Sequence, residues 1–202
     1  MKAIILAAGK GRRLNKTFNK PKCLIQLHSG EIIIERICRV LKENKIEDIT
    51  IVTGYKRNLL NRKKLKNIKK VYFPNYSKSN NLQTLLSVKH LLKGDVTCLF
   101  ADIVFDTKIL KDIISSNKDI LLSVRRKNIL EDTMRVKFKK NRISEIGNQI
   151  NVNEADGNFI GIAKFSSIGS KVLKKYLRKA KNNNKDYYTK VLNDIIKNSE
   201  IG

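Results

Sequence analysis

Two glycines flank a lysine in Gly9-Lys10-Gly11, which follows the apolar run Ala3-Ile4-Ile5-Leu6-Ala7-Ala8. Arg12 and Arg13 come next, and Pro21-Lys22-Cys23-Leu24 lies a short loop later. Glycine lets backbone N–H groups approach an anion with no Cβ in the way, and cations beside them neutralise phosphate charge. The combination suits a triphosphate. It is not a Walker A loop, which needs Gly-Lys-Ser/Thr after four intervening residues, nor a complete GxGxxG. On spacing alone, the same residues describe an ordinary surface turn in a basic chain equally well. Asp102 ends the apolar run Val96 to Ala101. Open α/β sheets place ligands beyond the carboxyl ends of their strands, although an aspartate there also serves as a turn residue or helix cap. Asp106, with Thr107 beside it, suits capping the following helix.

These residues need a scaffold, and the chain has the means to build one. Its 202 residues are one domain's worth, and 41% hydrophobic residues suffice for a core. Short apolar runs alternate with amphipathic stretches, the pattern of an α/β domain with a mainly parallel sheet. Strands are predicted at 2–7, 48–53, 69–73, 95–101 and 119–124, with helices at 31–44, 81–92 and 107–116. After residue 125 the rhythm changes: Arg135 to Ile146 alternates polar and apolar around Lys140-Asn141, as a β-hairpin does. A strand at 158–165 and helices at 168–180 and 186–198 complete the pattern. The expectation is a single domain over 1–202, with 126–157 as a hairpin subdomain inserted beside the main sheet.

Composition narrows the partners. No apolar run approaches the roughly 20 residues needed to cross a bilayer. The first residues imitate a signal peptide only faintly, because Lys10-Gly11-Arg12-Arg13 follows at once. Three cysteines, Cys23, Cys38 and Cys98, are odd in number and far apart, which argues against a disulfide framework or a paired metal site and fits a reducing cytoplasm. His28 and His90 lie on featureless segments, where surface or half-buried placement is expected. The net charge of +25 raises nucleic acid as a partner. The excess is spread along ordinary solvated helix faces, so a compositional bias is the favoured reading and a polyanion-binding surface the alternative.

Leu6-Ala7-Ala8-Gly9-Lys10-Gly11-Arg12-Arg13-Leu14 with Pro21-Lys22-Cys23-Leu24 resembles the LAAGxGxRL and PKxL motifs of the nucleotidyltransferases that activate sugar 1-phosphates and related phosphates. Ile51 to Lys56 is similar to that family's second-strand segment. Asn80-Asn81-Leu82-Gln83-Thr84-Leu85 resembles the NNxxSL segment of its phosphocholine-type cytidylyltransferase branch, with Thr84 keeping the hydroxyl. Asp132 to Val136 and Glu154 to Ser166 also look like this branch. The resemblance implies a Rossmann-like three-layer α/β domain with a mainly parallel mixed sheet and a small β-hairpin insertion. It also implies transfer of CMP from CTP to a small phosphate- or phosphonate-bearing acceptor, with release of pyrophosphate. In its terms the loop from Leu6 to Arg13 wraps the nucleotide, Arg13 binds triphosphate oxygens, Lys22 sits on the reacting phosphate and Asp102 binds Mg²⁺. Ala8, Asn81 and Thr84 then border the base, and Asp132, Arg135 and Asn158 lie on the acceptor side. A sugar-1-phosphate nucleotidyltransferase using UTP or another nucleotide, and a non-catalytic nucleotide- or nucleic-acid-binding relative, remain the alternatives.

The chain departs from that pattern in places. Arg12 replaces the usual Ser or Thr, adding a cation to the loop. Gly147-Asn148-Gln149 lacks a lysine common in the branch, and Gly157-Asn158 stands for its GE dipeptide, so amides replace charges near the expected acceptor pocket. The family's second metal-binding aspartate, in an EIDTxEDL-like segment after the last helix, has no counterpart before Gly202.

Overall fold

The first strand, β1 (Lys2–Ala7), is buried at every residue after Lys2. A near-continuous apolar strand of this kind belongs in the middle of a parallel sheet covered on both faces. The computed structural model, which describes residues 1–11, 18–180 and 184–198, places it there. β2 (Asp48–Thr53) and β4 (Val96–Phe100) flank it in parallel, and β3 (Lys69–Tyr72) pairs in parallel outside β2. Beyond β4 the pairing turns antiparallel, through β5 (Ile120–Arg125), the hairpin β6 (Arg135–Lys139) and β7 (Arg142–Gly147), and the long β8 (Gly157–Phe165). The order across the sheet is β3-β2-β1-β4-β8-β6-β7, with β5 also paired to β8.

Alternation along β1 divides the core. Ala3, Ile5 and Ala7 pack with α1 (Ile33–Glu43) and α3 (Thr107–Ser115) on one face. Ile4, Leu6 and Ala8 pack on the other with α2 (Asn81–Ser87), α4 (Ser167–Lys179) and α5 (Tyr188–Lys197). This is the three-layer arrangement the sequence implies. α1 follows from its stripe of Ile33, Ile34, Ile37, Cys38 and Leu41, all buried. α2 is shorter than the expected 81–92: Val88 leaves helical geometry at φ −116° to bury its side chain, and a 3₁₀ turn at Lys89–Leu91 follows. Asp106 caps α3 as expected, its carboxylate accepting from the Lys108 N–H at 2.8 Å.

Lys140 and Asn141 both take left-handed backbone conformations, the geometry of a two-residue hairpin turn. The hairpin is hydrogen-bonded into the sheet, through Arg135 opposite Asn158 and Val136 opposite Gly157. β5 occupies one edge of β8, so β4 and β6 share the other, β4 at 162–165 and β6 at 157–158. Between them Gly161, at φ +88°, lies against the Phe100 ring, which an added Cβ would meet at 2.5 Å. Among the described residues no helix is long and apolar enough to cross a membrane.

Candidate active site

The carboxyl ends of β1 and β4 open on a cavity of about 120 Å³ lined by Leu6, Ala7, Gly9, Gly11, Pro21, Lys22, Cys23, Ala101 and Asp102. The first turn of chain after β1 sets its shape. Gly11 is left-handed at φ +60°, and a Cβ there would stand 2.9 Å from Lys22 Cγ. Glycine is needed for the conformation and also so that the Lys22 stem can lie along the loop. Lys22 itself starts a 3₁₀ turn, Lys22–Leu24, entered from Pro21 and closed by the Leu24 N–H donating to the Pro21 carbonyl at 2.9 Å. Cys23 and Leu24 are buried in the α1 face of the core, anchoring the turn.

Lys22 Nζ stands 3.9 Å from Asp102 Oδ2, both side chains partly exposed at 30% and 45%. That is too long for a hydrogen bond, and with both groups open to solvent the pair is a loose one that leaves each charge available to a ligand. A cation and an anion thus face each other over the mouth of the cavity, where a phosphate could meet the first and a metal ion the second. Burial, with the charge of Asp102 adding to it, pushes the Cys23 thiol up to about 12. Cys23 is therefore protonated at neutral pH and is a wall, not a nucleophile.

A second contact fixes the approach to Lys22. Tyr55 Oη donates to Asn19 Oδ1 at 2.9 Å, and Lys56 Nζ donates to Asn19 O at 2.9 Å and Oδ1 at 2.8 Å. Just before them, the Tyr55 N–H donates to the Ala8 carbonyl at 3.0 Å, and Gly54 leaves no room for a Cβ, which would fall 2.5 Å from that oxygen. Lys56 holds a left-handed backbone at φ +45° in this latch. The chain leaving β2 therefore grips both ends of the segment between β1 and Lys22. Sequence reasoning did not find this latch, and only the segment Ile51 to Lys56 had pointed near it.

The expected site residues fall into separate groups. Leu6, Ala7, Gly9, Gly11, Lys22 and Asp102 meet at the cavity, with Ala8 and Lys10 in the same loop. Arg12 and Arg13 lie outside the described residues. Asn81 and Thr84 sit on α2, across β1 from Lys22, in the core layer that contains Ala8. Asn81 Oδ1 accepts from the Tyr188 N–H at 2.8 Å, tying α2 to the start of α5, and Thr84 is buried. Arg135 is buried, and its guanidinium donates to the carbonyls of Ile150, Leu130, Glu131 and Asn148. Asn158 Oδ1 accepts from the Leu130 N–H at 3.2 Å and Thr133 Oγ1 at 2.6 Å, while its amide donates to the Asn128 carbonyl at 3.1 Å. Both residues bind the 128–133 loop from within, and Asp132 is exposed on that loop.

A glycine-lined cavity at the carboxyl ends of the strands of a three-layer α/β sheet lies where such folds place their ligands. Compared with known proteins, residues 3–135 match the MobA-like NTP transferase domain, and the chain belongs to that family. It is 32% identical over 186 residues to the CTP:phosphoglutamine cytidylyltransferase of Campylobacter jejuni subsp. jejuni, covering 82% of this chain and 73% of that protein. It is also 42% identical over 94 residues to the choline-phosphate cytidylyltransferase of Streptococcus pneumoniae, covering 46% of this chain and 41% of that protein. Among solved structures, the inositol-1-phosphate CTP transferase from T. maritima superposes with a TM-score of 0.80 at 21% identity, over 99% of this chain and 82% of that one. The CTP:phosphocholine cytidylyltransferase of S. pneumoniae superposes with a TM-score of 0.76 at 25% identity, over 99% and 87%.

Proposed function

We propose that this chain transfers CMP from CTP to a small acceptor bearing a phosphate or phosphonate group. The observation that carries the reading is Lys22 facing Asp102 across the glycine loop at the carboxyl ends of β1 and β4. The CTP:phosphoglutamine cytidylyltransferase of C. jejuni and the CTP:phosphocholine cytidylyltransferase of S. pneumoniae support the nucleotide and the acceptor class. An ionised acceptor oxygen attacks the α-phosphorus of CTP and forms the new P–O bond. The bond from that phosphorus to the oxygen bridging to the β-phosphate breaks, and pyrophosphate leaves with the electron pair. The nucleophile is already ionised at neutral pH, so no general base is required. Lys22 supplies positive charge where negative charge builds, and the loop amides around Gly9 and Gly11 orient the phosphates.

Asp102 is the residue that would hold Mg²⁺. Its partly exposed carboxylate at the cavity mouth fits a hard cation, which is commonly bound by one or two carboxylates with water and substrate phosphates completing the shell. No cluster of three or more metal-ligating side chains occurs among the described residues, so the phosphates would supply much of the coordination. When bound, the ion neutralises phosphate charge. The three unpaired, buried cysteines and the use of CTP fit a cytoplasmic protein. The test is pyrophosphate release across the four nucleoside triphosphates with phosphocholine, phosphoglutamine, inositol 1-phosphate and sugar 1-phosphates. CTP-selective release with one phosphorylated acceptor is expected. Equal or better turnover with UTP and a sugar 1-phosphate would overturn the reading.

A further inference from the structure

A second cavity, of about 260 Å³, opens at the carboxyl ends of β2 and β3 and shares no lining residue with the first. Its walls are Thr53, Arg57, Asn58, Asn61, Lys70 and Tyr72, which include two cations and no carboxylate. The charge here differs from the general basicity of the neighbouring turns. Arg62 and Lys64 are matched by the buried carboxylate of Glu35, at 2.5 and 3.6 Å. Arg57 and Lys70 form no ion pair among the described residues. The guanidinium of Arg57 is stacked on Tyr72, 4.0 Å from the ring centroid, which holds it in place while leaving its N–H edge without a hydrogen-bond acceptor among the described residues. The side-chain amides of Asn58 and Asn61 likewise bond to no described residue. Lys70 Nζ is held by the carbonyls of Leu65 at 2.7 Å and Ile68 at 3.4 Å, which leaves its third proton free to donate.

We propose that this cavity is a second oxyanion site, taking a small ligand through one or two phosphate groups. Converging donors with no competing carboxylate select an anion, and a planar guanidinium held from behind matches phosphate geometry in particular. The volume lies below the roughly 300 Å³ at which drug-sized ligand pockets begin, so the fit is to phosphate, pyrophosphate or a small ester. Thr53 pairs with Ala7 on one side and Tyr72 on the other, so the site lies one to two strand spacings, about 5–10 Å, from the strand that carries the glycine loop. Calorimetric titration of the whole chain with inorganic pyrophosphate tests this, with a phosphate monoester in a parallel arm to distinguish a free from an esterified ligand. Two classes of site are expected. Lys22→Met should weaken one and spare the other, while Arg57→Ala and Asn61→Ala should each weaken the second about tenfold with the melting temperature unchanged. Turnover should survive in both Arg57→Ala and Asn61→Ala. A single class of site abolished by Lys22→Met would overturn the proposal. So would a second class that Arg57→Ala leaves within twofold, because that binding would belong to diffuse surface charge. The readout is binding, so the outcome stands whether or not CTP is the nucleotide used.

Discussion

Replacing Lys22 by methionine removes the ammonium group and keeps the aliphatic stem that lies against Gly11, so it isolates charge from packing. The stability cost is small. The pair with Asp102 is 3.9 Å long and partly exposed on both sides, and an ion pair of that kind contributes about 0–1 kcal/mol. For a chain of this length that moves the melting temperature by no more than about 4 °C. Catalysis should suffer far more. A unit charge about 4 Å from a phosphate oxygen at an effective dielectric near 20 interacts by about 4 kcal/mol, and the part that grows toward the transition state sets the rate. Loss of one such stabiliser typically lowers kcat about 10²- to 10³-fold. Metal binding should not follow these losses: with Lys22 neutral, Asp102 loses a competing cation, so Mg²⁺ should bind no more weakly than before. Initial rates of pyrophosphate release, a thermal melt and a Mg²⁺ titration on the same preparation read all three. A folded Lys22→Met protein that turns over within about threefold of the parent would refute the assignment of Lys22 to the reacting phosphate.

Gly11→Ala forces a side chain into a left-handed position and toward the Lys22 stem; a loss of about 1–2 kcal/mol should lower the melting temperature by about 2–8 °C and weaken CTP binding. An unchanged melt would mean that the loop rearranges without cost. Lys56→Met cuts both ammonium bonds to Asn19, and kcat/KM should fall about tenfold because the segment leading to Lys22 loses its anchor. If Lys56→Arg, which can bond Asn19 again, fails to recover activity while both variants stay folded, the latch is not a positioning device. Cys23, with its thiol held near 12, has only about one part in 10⁴ as thiolate at pH 8, so iodoacetamide should leave it unlabelled in the folded chain and label it after urea unfolding. Rapid labelling of Cys23 in the native protein would mean that burial does not hold the thiol neutral.

What could be read from the sequence, and what could not, follows from the range of the interactions involved. β1, β2 and β4 declared themselves because a strand buried on both faces needs a nearly unbroken apolar run, and α1 because its burial repeats every three to four residues. The end of α2 was hidden because Leu92 keeps an apolar residue available where helix continuation would want one, while Val88 turns inward and breaks the helix. Lys22 and Asp102 stood out through the resemblance to nucleotidyltransferase motifs, since a Pro-Lys turn and a strand-end aspartate by themselves suit a surface turn or a helix cap as well, and the fold brings the two to one cavity. The Asn19 latch had no such motif: its partners are polar residues 36 and 37 positions apart, and no periodicity brings them together. Arg135 makes the same point in the opposite direction. In an alternating hairpin it reads as a cation available to an acceptor, yet four carbonyls from the 130–131 and 148–150 segments converge on its buried guanidinium. Asn158, opposite it in the sheet, has its amide engaged on the 128–133 loop in the same way. Arg135 and Asn158 therefore spend their polar groups within the protein, both of them on the 128–133 segment that carries Asp132, and a bond set drawn from carbonyls so scattered along the chain leaves no pattern in the residues that make it.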